Sequence, residues 1–202
     1  SLPITLTVLA TVAYTSTFWY LLIHLLNKQQ PKKTISLTLM ALGLVLHGIV
    51  LSQKMVGANG VDYNVFNVLS LTCWLMMALS FLFSTYRPVL GLNLLAAPVA
   101  CSGLLIGVIW HAPYVALTQG GVGLETHIIT SLAAYCVLFM ASIQSVLLWA
   151  QNRELKHKTG KRLWVAILPP LQTMERLLFD MIVLGFGLLT IALLFGAFTV
   201  EN

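Results

Sequence analysis

Five histidines are the residues of this chain whose chemistry can exceed packing: His24, His47, His111, His127 and His157. An imidazole binds a metal through an unprotonated ring nitrogen, passes protons near neutral pH, or ties two elements together by hydrogen bonds. The other reactive types offer less. Cys73, Cys101 and Cys136 are widely spaced, form no CxxC, and read as small buried apolar residues. Asp62, Glu125, Glu154 and Glu201 fall at segment ends or in connections, so no carboxylate pair is formed. HExxH, Walker and GxSxG patterns are absent, and "GGVG" at 120–123 reads as a hinge, because no strand precedes it. No enzyme is expected from this inventory.

The elements that must position the histidines follow from composition. The 202 residues are 58% hydrophobic and 8% charged, and their mean hydropathy is +0.90. Soluble domains carry about 25% charged residues. Lipid is therefore the expected solvent, and a helix needs about 20 apolar residues to cross it. Six such runs stand at about 3–26, 34–53, 64–84, 88–110, 124–150 and 177–199. The fold class is all-α: a polytopic membrane helical bundle of six transmembrane helices, forming one domain over 1–202. The ten-residue alternation of a membrane barrel is missing. The first run lacks a basic leader, and Tyr14, Trp19, Tyr20 and His24 interrupt it, so it does not read as a signal peptide.

Charge orients the bundle. Lys28, Lys32, Lys33, Arg87, Arg153, Lys156, Lys158, Lys161, Arg162 and Arg176 fall on one side, and Lys54 alone on the other. The positive-inside rule places the N-terminus outside. Anionic headgroups account for the basic excess, and nucleic acid is not expected as a partner. In the long basic connection, Trp164, Ile167 and Leu168 suit an interfacial segment, and Pro170 suits the start of the last helix. Asp180 follows Arg176 by four residues, which predicts a structural ion pair near the inner boundary.

On this frame the histidines sort by depth. His157 is solvated and His24 interfacial. His47 is thirteen steps, about 20 Å, from Thr34, in the outer half. His127 lies about one turn below the outer surface. His111, beside Trp110 and near Tyr114, is a possible outer-site neighbour. The stripe His127, Ser131, Ala134, Leu138, Ala141, Ser145 is small and polar, so it faces protein. Gly43, one turn before His47, leaves room for a flat partner or a close helix. Ala96, Ala100, Gly103 and Gly107 suit tight helix contacts. Inward imidazoles of this kind suit a haem iron, a plain interhelical hydrogen bond or a proton relay, and spacing leaves all three open.

Four stretches resemble the cytochrome c assembly membrane proteins, a family that includes haem-handling proteins of cytochrome c maturation and HemX-like proteins. They are "LVLHGIVL" (44–51), "NVFNVLSLTCWL" (64–75), "LETHIITSLAAY" (124–135) and "LLFDMIVLGFGLLTIALLFGAF" (177–198). "LPPLQTMERLLF" (168–179) is similar to a bacterial inner-membrane branch, the YpjD/HemX-like proteins. The resemblance implies a multi-pass inner-membrane protein that binds or handles haem, as haem b, near the outer leaflet. It implies His47 and His127 as iron ligands, and it implies as partners haem, the lipid bilayer and other membrane proteins of a complex. The family's tryptophan-rich segment is expected just after "LLFGAF", and the five tryptophans here are scattered instead. That departure leaves a second expectation. It is a non-catalytic accessory subunit of a larger complex or transporter, for example of the CorC/CNNM metal type, that keeps the fold without haem.

Overall fold

A computed structural model describes residues 1–117, 121–157 and 168–200. Among them are six helices: α1 (Leu2–Leu26), α2 (Lys33–Met55), α3 (Val65–Tyr86), α4 (Leu90–Ile109), α5 (Gly121–His157) and α6 (Leu171–Val200). All six are long and apolar enough to cross a membrane. Backbone groups in lipid have no water to bond, so the chain satisfies them within each helix.

The ends are built locally. α1 closes in a Schellman turn, with Gln29 N–H donating to His24 O at 2.9 Å and Lys28 N–H to Leu25 O at 3.2 Å. Lys28 takes the left-handed φ of +52° which that turn requires. Asn64 caps α3, its side chain accepting from Phe66 N–H and Asn67 N–H. Pro170 stands one residue before α6, where its carbonyl accepts from Thr173 N–H and Met174 N–H. α5 runs further than the expected span, 37 residues or about 55 Å. That exceeds a hydrocarbon core of about 30 Å, so its basic end projects beyond the lipid. Gly121 opens it with φ +50°. Gly120 and the interfacial Trp164 and Ile167 lie outside the described residues.

Two cores share α3. In one, Ala10 and Tyr14 of α1, Met40 and Leu44 of α2, Met77 of α3 and Ala97, Ala100 and Leu104 of α4 are buried together. In the other, Met76 and Phe83 of α3 meet Val137 and Met140 of α5 and Leu177 and Met181 of α6. Neighbouring residues of α3, Met76 and Met77, thus serve different cores. α5 and α6 form an antiparallel pair, and α5 rests on α3 and α4.

The expected pair of Arg176 with Asp180 is corrected by the structure. Asp180 Oδ2 accepts from Nε of Arg87, at the α3–α4 turn, at 2.9 Å. Arg176 is exposed. Asp180 meets Arg87 because the fold brings the α3–α4 turn beside this part of α6.

On the side opposite the basic loops, β1 (Val56–Gly57) and β2 (Gly60–Val61) pair antiparallel as a minimal hairpin. The segment after α4 docks on it. Tyr63 N–H donates to Val115 O at 2.9 Å, Val115 N–H to Asp62 Oδ1 at 3.1 Å, and Tyr114 Oη–H to Asn59 O at 3.0 Å. The two outer connections are therefore one cap.

Candidate functional site

The two histidines expected as iron ligands stand in different helix contacts and have different surroundings. His47 is completely buried. Its Nδ1 is 2.9 Å from the Tyr14 hydroxyl of α1, and its Nε2 is 3.0 Å from the Ser70 hydroxyl of α3. A neutral imidazole has one donor and one acceptor nitrogen, and here each has a hydroxyl. The glycines explain how the network closes. A Cβ on Gly43 would lie 2.6 Å from Tyr14 Cε1, so the flat partner expected beside Gly43 is the phenol ring. A Cβ on Gly107 would lie 2.8 Å from Ser70 Cβ. Glycine there lets α4 press against α3 and hold Ser70 toward His47. A neighbouring void of about 10 Å³ touches Ser70, Asn67 and Lys54. That is room for about one water molecule and not for a porphyrin.

His127 is partly buried. Its Nδ1 lies 2.6 Å from the Ala192 carbonyl of α6. A carbonyl only accepts, so Nδ1 carries a proton, and in the neutral ring the lone pair is on Nε2. This is the tautomer a metal-binding histidine requires, with the second nitrogen oriented by a backbone carbonyl. Gly196 makes the approach possible, because a Cβ there would lie 2.9 Å from Nδ1 and Cε1 of the ring. Gly123 admits Thr199 in the same way, with a Cβ 3.0 Å from its Oγ1. Among the described residues no group of three or more metal-binding side chains forms, so any iron here takes few ligands from this region.

The remaining histidines stay peripheral. His111 is exposed in the outer cap segment, and His157 is exposed at the end of α5. His24 Nδ1–H donates to Tyr20 O of its own helix at 2.8 Å, and its ring packs on that of Tyr20. The cap reaches toward the His127 end. Tyr63 has its phenol pushed up by burial and by the Glu125 carboxylate, two residues before His127. Desolvation works upward on Asp62, but hydrogen bonds from Val115 N–H, the Asn64 side chain and Asn64 N–H together outweigh it and hold the carboxyl below its usual range.

Some of the expected inward stripe on α5 holds and some does not. Ala134 and Ala141 are buried, whereas Ser145 is exposed and donates to Ser142 O within the helix. Besides His127, two glutamines that periodicity left unremarked tie α5 to α6 and to the residue two before it. Gln144 Nε2 donates to Met174 O at 3.1 Å, and Gln151 Nε2 to Pro169 O at 2.8 Å. Tyr14 and Ser70 were equally silent as site residues. The one signal for Tyr14 is a phenol placed mid-span, far from either interface. Of the small residues on α4, Ala96 and Ala100 are buried, and Gly103 admits Cys73, whose Cβ would lie 2.3 Å from an added Cβ.

Comparison with known proteins follows this geometry. The chain is 27% identical over 197 residues, 96% of this chain and 74% of the relative, to inner membrane protein YpjD of Escherichia coli strain K12. The YpjD proteins of strains O6:H1 and O157:H7 align with the same identity and coverage. No solved structure matches significantly. The family model described as cytochrome C assembly protein matches residues 34–202, which takes in α2 to α6 and both inward histidines. The chain belongs to the cytochrome c assembly protein family.

Proposed function

We propose that this is a multi-pass bacterial inner-membrane protein that holds haem b near the outer leaflet, with His127 as the iron ligand that this chain contributes. Family membership supports haem handling, and the relatives named inner membrane protein support the location. The observation that carries the residue assignment is the Nδ1–H bond of His127 to Ala192 O. It leaves Nε2 free in the tautomer that iron needs. Haem would supply the redox-active iron. The protein's part is to fix the ring through Ala192 and Gly196 and to keep the site between α5 and the outer end of α6. No CxxCH is present in the chain, so the thioether bonds of a c-type haem belong on another polypeptide.

In this reading His47 is a strut. To ligate iron it would have to give up a hydroxyl partner inside a closed core and create a cavity there. The test is an absorption spectrum of the protein purified from cells supplied with haem. A Soret band is expected, present in His47→Ala and absent in His127→Ala. A colourless wild-type protein, or a band that survives His127→Ala, overturns the proposal.

A further inference from the structure

At the basic end of the bundle, away from both histidines, a cleft of about 200 Å³ opens between the end of α1, the start of α2 and the α3–α4 turn. We propose that this cleft binds the phosphate headgroup of an anionic phospholipid of the leaflet on that side.

Two cations line it, Lys33 from α2 and Arg87 from the turn. Among the described residues Lys33 Nζ–H donates to Thr85 O, and Arg87 donates through Nε–H to Asp180 Oδ2 and lies over the Tyr86 ring, 5.8 Å from its centroid. An ammonium has three donors and a guanidinium five, so both can serve a second acceptor, and a guanidinium matches phosphate oxygens in bidentate fashion. Asp180 offsets one of the two charges, which leaves the lining one positive charge in excess. An independent observation also points to a ligand. Ser36 lines the cleft and is 7% exposed, yet its Oγ has no hydrogen-bond partner. A buried hydroxyl without a partner costs about 1–3 kcal/mol, and a phosphate or glycerol oxygen would relieve it. Ser84 and Asn93, bonded to each other at 2.7 Å, line the cleft beside it.

The rest of the lining is apolar. Leu21, Leu37, Val89 and Leu90 would meet the first carbons of an acyl chain. A free anion would leave that surface without a role. The cleft is smaller than the roughly 300–1,000 Å³ of pockets that enclose drug-sized ligands. It therefore takes a headgroup and the adjoining chain but not a porphyrin, and it is separate from the haem reading. It also lies at the end of the bundle where Lys28, Lys32, Lys33 and Arg87 fall.

The test uses the full chain in mild detergent. Thermal stability is followed as phosphatidylglycerol, phosphatidylcholine or inorganic phosphate is added, and lipid retention is read by native mass spectrometry. Phosphatidylglycerol is expected to stabilise and to be retained, and the other two are not. Lys33→Gln should weaken retention about fivefold, as expected for losing one cation near a charged lipid surface. Arg87→Gln should weaken it at least as much. Asp180→Asn breaks the same ion pair as Arg87→Gln yet should strengthen retention, a sign that mere loss of structure cannot produce. Equal stabilisation by inorganic phosphate or phosphatidylcholine overturns the lipid assignment. So does an Asp180→Asn variant that loses lipid as Arg87→Gln does. Should Arg87→Gln fail to fold, Lys33→Gln and Asp180→Asn still decide the matter.

Discussion

His47 and His127 are both inward-facing histidines in the half of the bundle opposite the basic loops, and they show how differently a membrane fold can use one side chain. His47 is completely buried, and hydroxyls from two other helices take both of its ring nitrogens. His127 stands in a two-helix contact, and a backbone carbonyl takes one nitrogen. A ring bonded at both ends is a cross-brace for α1, α2 and α3. A ring bonded at one end is an oriented lone pair. The difference comes from the number of helices at each site. Three converge on His47, and each small residue nearby admits another polar side chain. At His127 the contacts described above come from α6.

The largest test of this contrast is spectroscopic. His127→Ala should remove essentially all of the Soret absorbance, and Gly196→Ala, which drives a methyl into the ring, should reduce haem affinity about 10–100-fold as a supporting-residue change does. Stability comes next. His47→Ala leaves a cavity and strands the Tyr14 and Ser70 hydroxyls, so it should destabilise the protein by about 2–4 kcal/mol while haem absorbance persists. That outcome is read by denaturation alongside the spectrum. Gly43→Ala should cost about 1–3 kcal/mol by overpacking against Tyr14, and the combination with Tyr14→Ala should recover part of that loss if the ring is the obstacle.

A smaller effect is expected where charge is half exposed. Breaking Arg87–Asp180, whose side chains are 26% and 41% exposed, should change stability by no more than about 1 kcal/mol. The smallest effect concerns the outer cap. The Asp62 carboxyl is held below its ordinary value in the folded chain. Its contribution is therefore complete above the unfolded value, about 3.9, and is lost as pH falls through the lower folded one. Hydrogen exchange at Tyr63 and Val115 should speed up below about pH 4, and Asp62→Asn should remove that dependence. Unchanged exchange across the range would detach Asp62 from the cap.

Much of this molecule is readable in one dimension because lipid imposes a simple rule. Runs of about 20 apolar residues must be helices, and the structure has six that meet this test. Their edges were less legible. The basic last turns of α5 and the first turns of α6 lie beyond the apolar runs, and polarity alone does not mark helices that continue past the membrane. Inward placement of His47 could be read from its neighbours, because glycine at i−4 makes room for a ring. The identity of that ring could not, since Tyr14 is 33 residues away and nothing local links the two. The same limit misassigned Asp180. A partner four residues away is visible in sequence, whereas Arg87 becomes a neighbour only when α6 packs beside the α3–α4 turn.

Composition and spacing by themselves determined the helical class, the six apolar helices seen among the described residues and the end of the bundle that carries the positive charge, because each follows from transfer of residues one at a time between water and lipid. Tertiary structure alone decided which imidazole is bonded at both nitrogens and which carboxylate meets which guanidinium. Those outcomes depend on hydrogen-bond distances between helices far apart in the chain, and a bond of about 3 Å is settled by packing rather than by polarity.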